Sequence, residues 1–187
     1  MNPRKVLAER RYTSIRYDVY QTVEQKLLFL FKKSIRLTSI DNNALLYWQD
    51  KWMPHNHRYP PEGGWDWRNE IIKVRQTLPN RFEVAIWHDE ILCGLAMGKP
   101  SGGSSHLAIY LMEGYPLKHP LNALITRIVL EVGATYAVAL GKENLMLVDP
   151  LEKMIKVYTN RYGFEFKTAK NHPKRFCLRK IVITDNG

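Results

Sequence analysis

Two periods alternate along this chain. From about Gln21, Val23, Leu27, Leu28, Leu30, Phe31 and Ile35 recur at helical spacing, with Lys26, Lys32, Lys33 and Arg36 on the other side. Ahead of them, residues 1–18 are polar and alternate only loosely, so they read as a first strand or an irregular arm. Asp41 is placed to cap a short helix over about 42–52. A loop rich in Pro, Gly and His follows, and Asp66 can cap a second helix carrying Trp67, Ile71, Ile72, Val74 and Leu78.

Beyond Pro79-Asn80 the period falls to two. Phe82, Val84 and Ile86 alternate with Glu83 and Ala85. Asp89-Glu90 turns the chain, residues 91–99 return, and residues 106–114 add a third strand, with Ile109 and Leu111 opposite to Tyr110 and Met112. Pro120 suits the first turn of a long helix with its stripe on Leu121, Leu124, Ile125, Ile128, Val129 and Val132, ending at Gly141. Leu145–Val148 is a short apolar run, as in a strand covered on both faces. Asp149-Pro150 ends it. Leu151, Met154, Ile155 and Tyr158 then fall at i, i+3, i+4 and i+7, and Gly163 stands where a helix cap belongs, with Phe164 just past it. Residues 165–167 and 174–183 pair as a closing hairpin.

Composition narrows the class. With 187 residues, 45% apolar and 25% charged, one soluble domain is the default. There is no apolar run of spanning length and no apolar segment behind the N-terminal charges, so neither a membrane span nor a secretory signal is expected and a cytoplasmic location is. Cys93 and Cys177 lie in apolar runs and read as buried small side chains of a reducing compartment. The net charge of +10 is uneven: nine Lys/Arg against three Asp/Glu in residues 1–36, the same balance in 151–187, and ten against twelve between them. A basic surface at the joined ends would draw nucleic acid, phosphates or an acidic partner. His55 and His57, two apart with no third ligand, read as exposed loop residues, and no metal is expected. Trp65 and Trp67 flank a helix start, either stapling it to the core or lining an acceptor groove.

The strand, Asp-Pro break, helix and Tyr-Gly-Phe ending over residues 143–164 resembles the end of the GNAT acyltransferase fold. The order of elements over about residues 40–183 is similar too. The resemblance implies an α/β (α+β) fold, a mixed, mostly antiparallel sheet flanked by helices, with residues 1–40 as a basic arm and helix before a GNAT-like domain at 41–187. It implies an N-acetyltransferase that passes an acetyl group from acetyl-CoA to an amine by direct attack. The alternative is a GNAT-fold protein whose catalytic site has degraded and which binds a protein or nucleic acid.

In that family acyl-CoA lies in a wedge between the fourth and fifth strands. Its pyrophosphate sits on N–H groups at the next helix start, as helix N-termini allow. Mapped here, Met112 and Gly114 are the strand end along the pantetheine arm. Lys118, His119, Leu121, Asn122 and Ala123 are the phosphate loop, with Leu121 where the family has glycine. The resemblance makes Glu113 a base and a tyrosine the acid that protonates sulfur. Counting five back from Phe164 gives Thr159, whereas Tyr158 lies one residue earlier, about 100° round the helix; both stand as candidates. Implied acceptors are a protein amine, a small amine or an aminoacyl-tRNA, and a homodimer through the last strands or helices is a family expectation.

Overall fold

The computed structural model describes residues 3–56, 58, 64–171 and 173–182. His57 lies outside them. A seven-stranded sheet runs in the order β1-β2-β3-β4-β5-β7-β6. Its strands are β1 (Arg36–Thr38), β2 (Phe82–His88), β3 (Ile91–Pro100), β4 (His106–Gly114), β5 (Asn144–Val148), β6 (Glu165–Thr168) and β7 (Arg175–Lys180). Every pair is antiparallel except β4 with β5. That pair needs a crossover, and α4 (Ile125–Ala139) supplies it. Helices cover both faces: α1 (Pro3–Phe31), α4 and α5 (Glu152–Tyr162) on one; α2 (Asn42–Tyr47), the π-helical turn Trp48–Trp52 that continues it, and α3 (Trp67–Thr77) on the other. This is why residues 82–87 are all buried despite their alternation.

Asp41 caps α2 by accepting from the Ala44 N–H, and Asp66 caps α3 by accepting from the Asn69 N–H, as their positions predict. Gly163 takes the left-handed conformation at φ 67° and ends α5. Three expectations fail. The helix read through Ile35 and Arg36 ends at Phe31, and Arg36 opens β1. Residues 1–18 are neither strand nor arm, because α1 is one helix from Pro3 to Phe31. Its buried stripe is Arg16, Val19, Tyr20, Val23 and Leu27, and a charged residue within the stripe conceals the helical period. The long helix starts at Ile125, five residues after Pro120. Leu121 and Leu124 sit instead in a chain of turns, with Asn122 N–H on the His119 carbonyl and Leu124 N–H on the Leu121 carbonyl.

Arg16 is buried because it answers a buried carboxylate cluster. Glu83 on β2 is fully buried, yet Arg81 Nε reaches its Oε1 at 2.8 Å and Arg75 Nη2 its Oε2 at 2.9 Å, while the Ile40 N–H donates at 3.1 Å. Arg81 also grips Glu9 of α1 with both terminal nitrogens, at 2.8 and 2.7 Å. Arg16 donates to Glu9 and to the Pro79 carbonyl, both at 3.0 Å. Charges join α1, β2 and α3 where apolar packing alone would leave the helix free to slide.

Partial burial opposes the charge on Glu9, but bonds and attraction from Arg81 and Arg16 outweigh it and hold its carboxyl below the ordinary range. A depressed folded pKa gives stability that is present above the unfolded value, near 4.5, and is lost as pH falls through the folded one. Stability should therefore drop as pH falls below about 4.5, and a Glu9→Gln variant should lose less over that window. Urea melts from pH 7 to pH 3 test this; equal losses in both proteins would refute it.

Candidate active-site cleft

β4 and β5 pair only from His106 with Asn144 to Ile109 with Leu147. Beyond Ile109 they part. The break coincides with a bulge: Ile109 pairs with Gly98 and Leu111 with Met97, so Tyr110 has no register partner. An extra residue flips side-chain parity. Ile109 and Leu111 therefore face opposite layers, not the shared face expected from alternation. Past the bulge the free edge of β4 turns unpaired N–H and C=O groups toward the gap.

The gap is a cleft of about 320 Å³. One wall is β4 from Ile109 to Met112 with Gly114. The other is the end of β5, the Asp149-Pro150 break and α5, through Met154 and Tyr158. Ile125 and Thr126 close it at the start of α4, and Trp65 closes it from the opposite face of the sheet.

The structure separates the two hydroxyls that counting left open. Tyr158 lines the cleft and is nearly buried. Burial, with Cys177 and Tyr162 beside it, pushes its pKa up to about 12. Its ring meets Phe164 edge-on at 6.2 Å. Thr159 is not in the lining, and its Oγ1 lies 3.3 Å from the Lys156 carbonyl and 3.2 Å from Asn160 Oδ1. The stripe counted forward from Leu151 reaches the residue in the cleft; the count back from Phe164 does not.

Glu113 is neither a solvated strand end nor an open base. It is 1% exposed. Arg58 Nε donates to Oε1 at 2.7 Å, while Arg58 Nη2 at 3.1 Å, the Trp65 N–H at 3.2 Å and Trp67 Nε1 at 2.7 Å donate to Oε2. Burial and these four donors close the carboxylate off from a substrate. Trp67 is fully buried on that bond, so it belongs to the core and not to an acceptor groove. Trp65 does line the cleft, and its buried Nε1 has no hydrogen-bond partner among the described residues. His55 is half-buried against Tyr115, with ring centroids 6.5 Å apart, and is not an exposed loop residue. Cys93 and Cys177 are buried free thiols, and burial pushes Cys93 up to about 11. Among the described residues, no cluster of three or more His, Cys, Asp or Glu could hold a metal ion, and no helix is long and apolar enough to cross a membrane.

Of the cofactor candidates, Met112 and Gly114 line the cleft, and the loop residues sit beyond it. Leu121 is fully buried, so its side chain fills the core and does not obstruct the loop. Its N–H donates to His119 Nδ1 at 3.2 Å. His119 is itself buried, which lowers its pKa, so a neutral ring accepts that bond. The N–H groups of Leu121 and Asn122 are thus already used within the turn, and Pro120 has none. Ala123 holds a left-handed φ of 64°, and Lys118 is exposed. The N–H groups heading α4, at Ile125, Thr126 and Arg127, have no helical carbonyl to meet. Arg58, Ile125 and Thr126 were missed by sequence reasoning. The one available signal was Glu113 itself, since a carboxylate in a buried strand requires a cation.

No protein-family model matches the chain, and no curated protein matches it in sequence. Solved structures do match. An acetyltransferase of the GNAT family from Staphylococcus aureus superimposes with a TM-score of 0.55 at 12% identity, over 79% of this chain and 99% of that one. The ribosomal-protein-S18-alanine N-acetyltransferase of Escherichia coli gives 0.55 at 12% identity, over 81% and 97%. An acetyltransferase from Thermus thermophilus gives 0.56 at 14%, over 78% and 96%. The likeness spans nearly the whole of each of those chains at very low identity, and what it shows is a fold: this chain has the GNAT acyltransferase fold, in a divergent sequence.

Proposed function

We propose that the protein is an acetyl-CoA-dependent N-acetyltransferase acting on an amine by direct attack. The observation that carries this is Tyr158, a protonated hydroxyl on α5 lining the cleft where β4 and β5 part. The residues present fit the co-substrate. The free edge of β4 from Tyr110 to Gly114 offers a pantetheine arm the bonds of an added strand. The lining of the cleft is mostly apolar, which suits an acyl thioester. Lys118 and the first N–H groups of α4 answer the phosphates, displaced toward the helix because the 119–122 turn satisfies itself.

In this reading a strand N–H between Met112 and Gly114 polarises the thioester carbonyl. The neutral amine attacks the carbonyl carbon, the C–S bond breaks, and Tyr158 gives its proton to sulfur. The nitrogen sheds one proton, which returns to Tyr158 directly or through water. The balance requires no carboxylate base, in accord with the enclosed state of Glu113. The degraded-site alternative keeps only part of its motive: Tyr158 lines the cleft and Leu121 is turned into the core, while the N–H groups of Leu121 and Asn122 are spent within the turn. The acceptor is an amine on a protein, a small molecule or an aminoacyl-tRNA; the basic N-terminal segment and C-terminal region favour an acidic or nucleic-acid-bound one.

Calorimetric titration with acetyl-CoA tests the reading. Micromolar binding is expected, weakened about tenfold in Lys118→Glu, the loss of one surface phosphate contact. No binding at millimolar ligand would remove the enzyme reading altogether.

A further inference from the structure

We propose that the Arg58–Glu113 ion pair is the positioning device of the cleft's acceptor wall, fixing Trp65 at the mouth through which the amine arrives. This rests on the acetyltransferase reading only for the word acceptor; the tie itself rests on geometry.

The cleft crosses the sheet. Its α4–α5 side, with Ile125, Met154 and Tyr158, is the side assigned to the co-substrate. The other side is reached past Tyr110, Leu111 and Trp65, which pack with the opposite layer. Trp65 comes from the connection between α2 and α3, and the described residues just before α3, Gly64 to Asp66, belong to no helix or strand. Something else must place it.

Glu113 and Arg58 do so from both sides of one peptide. The Trp65 N–H donates to Glu113 Oε2 at 3.2 Å, and the Trp65 carbonyl accepts from Arg58 Nη2 at 2.7 Å. Arg58 is in turn joined to Glu113 by two bonds, at 2.7 and 3.1 Å, and lies over the Trp48 ring at 5.4 Å. The closure leaves no room for a side chain at Gly64: a Cβ there would come within 2.5 Å of Glu113 Oε1 and 2.6 Å of Arg58 Nη2. Gly64 also holds a left-handed φ of 73°, which a glycine adopts freely. Glu113 follows Met112 on the strand assigned to the thioester. One carboxylate therefore registers the wall against the strand on which the chemistry runs. Glu113 is a positioning residue; its pair, and not its basicity, is what the site uses.

The test is hydrogen exchange on the full chain in Arg58→Lys and Glu113→Gln, with acrylamide quenching of Trp65 taken as the difference between each protein and its Trp65→Phe counterpart. Amides over Gly64–Trp67 should exchange at least about tenfold faster in both variants and Trp65 quenching should rise, while β3 and the paired part of β4 keep wild-type exchange and Arg58→Lys binds acetyl-CoA within about twofold of wild type. Unchanged exchange at 64–67, or equal acceleration through β3 and β4, would overturn the proposal, the latter because it marks a general core contact. Failure of the wild type to bind acetyl-CoA would instead remove the acetyltransferase reading, with the exchange result still deciding the tie.

Discussion

Tyr158→Phe lowers acetyl transfer by about 100-fold or more, the scale of a lost general acid, with little change in acetyl-CoA affinity. Only one oxygen is removed. The ring still packs on Phe164 and still fills its place under the cleft, so the fold is untouched. Thr159→Ala leaves the rate near wild type, since that hydroxyl faces Lys156 and Asn160. The pH profile provides a second check. Burial keeps Tyr158 protonated up to about pH 12. The rate then climbs as the amine loses its proton and shows no alkaline decline below that value. Equal turnover in Tyr158→Phe and wild type, measured with thiol-release assays, would show that the hydroxyl takes no part.

Glu83→Gln destabilises the fold by about 3–5 kcal/mol, as expected when one partner is removed from a buried ion pair. The amide is the same size, so no cavity opens. What changes is the charge balance. Arg81 and Arg75 lose the anion they share, and an NH₂ group turns toward guanidinium groups whose remaining partners are Glu9 and the Leu78 and Ile40 carbonyls. The buried Nε of Arg16 lies 4.0 Å from Glu83 Oε1 and already has no hydrogen-bond partner among the described residues, so the cluster has no spare acceptor there. Glu9 cannot compensate, being held by Arg81 and Arg16. Urea unfolding at pH 7 reads the effect; a loss under about 1 kcal/mol would mean that water reaches the cluster and screens it.

Both results turn on what a periodicity reading can and cannot see. The strands from β2 onward, α3 and α5 were legible because their apolar residues repeat cleanly and their ends carry capping side chains: Asp41, Asp66 and Gly163 all act as placed, whereas β1 was read as the tail of a helix. The first half of α1 was hidden because Arg16 occupies a position where the stripe calls for an apolar residue, and only the distant Pro79–Glu83 segment explains it. Pro120 was misleading for the opposite reason. It is a good first-turn residue locally, but His119 turns back on Leu121 and delays the helix to Ile125. In the site, Tyr158 and the β4 end were legible as candidates. The bulge at Tyr110 was not, because one inserted residue leaves no mark on composition. Arg58 was not either, because a lone arginine in an irregular loop has no period at all.

The helix α1 also sets an order of events. Part of its buried face waits for residues far along the chain: Arg81 and Glu83 near the middle, and α4 near residue 130. Ile35 and Leu37 follow closely and meet Val19, Tyr20, Val23 and Leu27 in the same core, but the bonds to the Pro79, Arg81 and Glu83 carbonyls need loop closure over more than sixty residues. At about 5–20 residues per second, that is an exposure of several seconds for each new chain. A nascent chain arrested before α4 would therefore leave the α4-facing stripe of α1 uncovered, the kind of surface that chaperones hold.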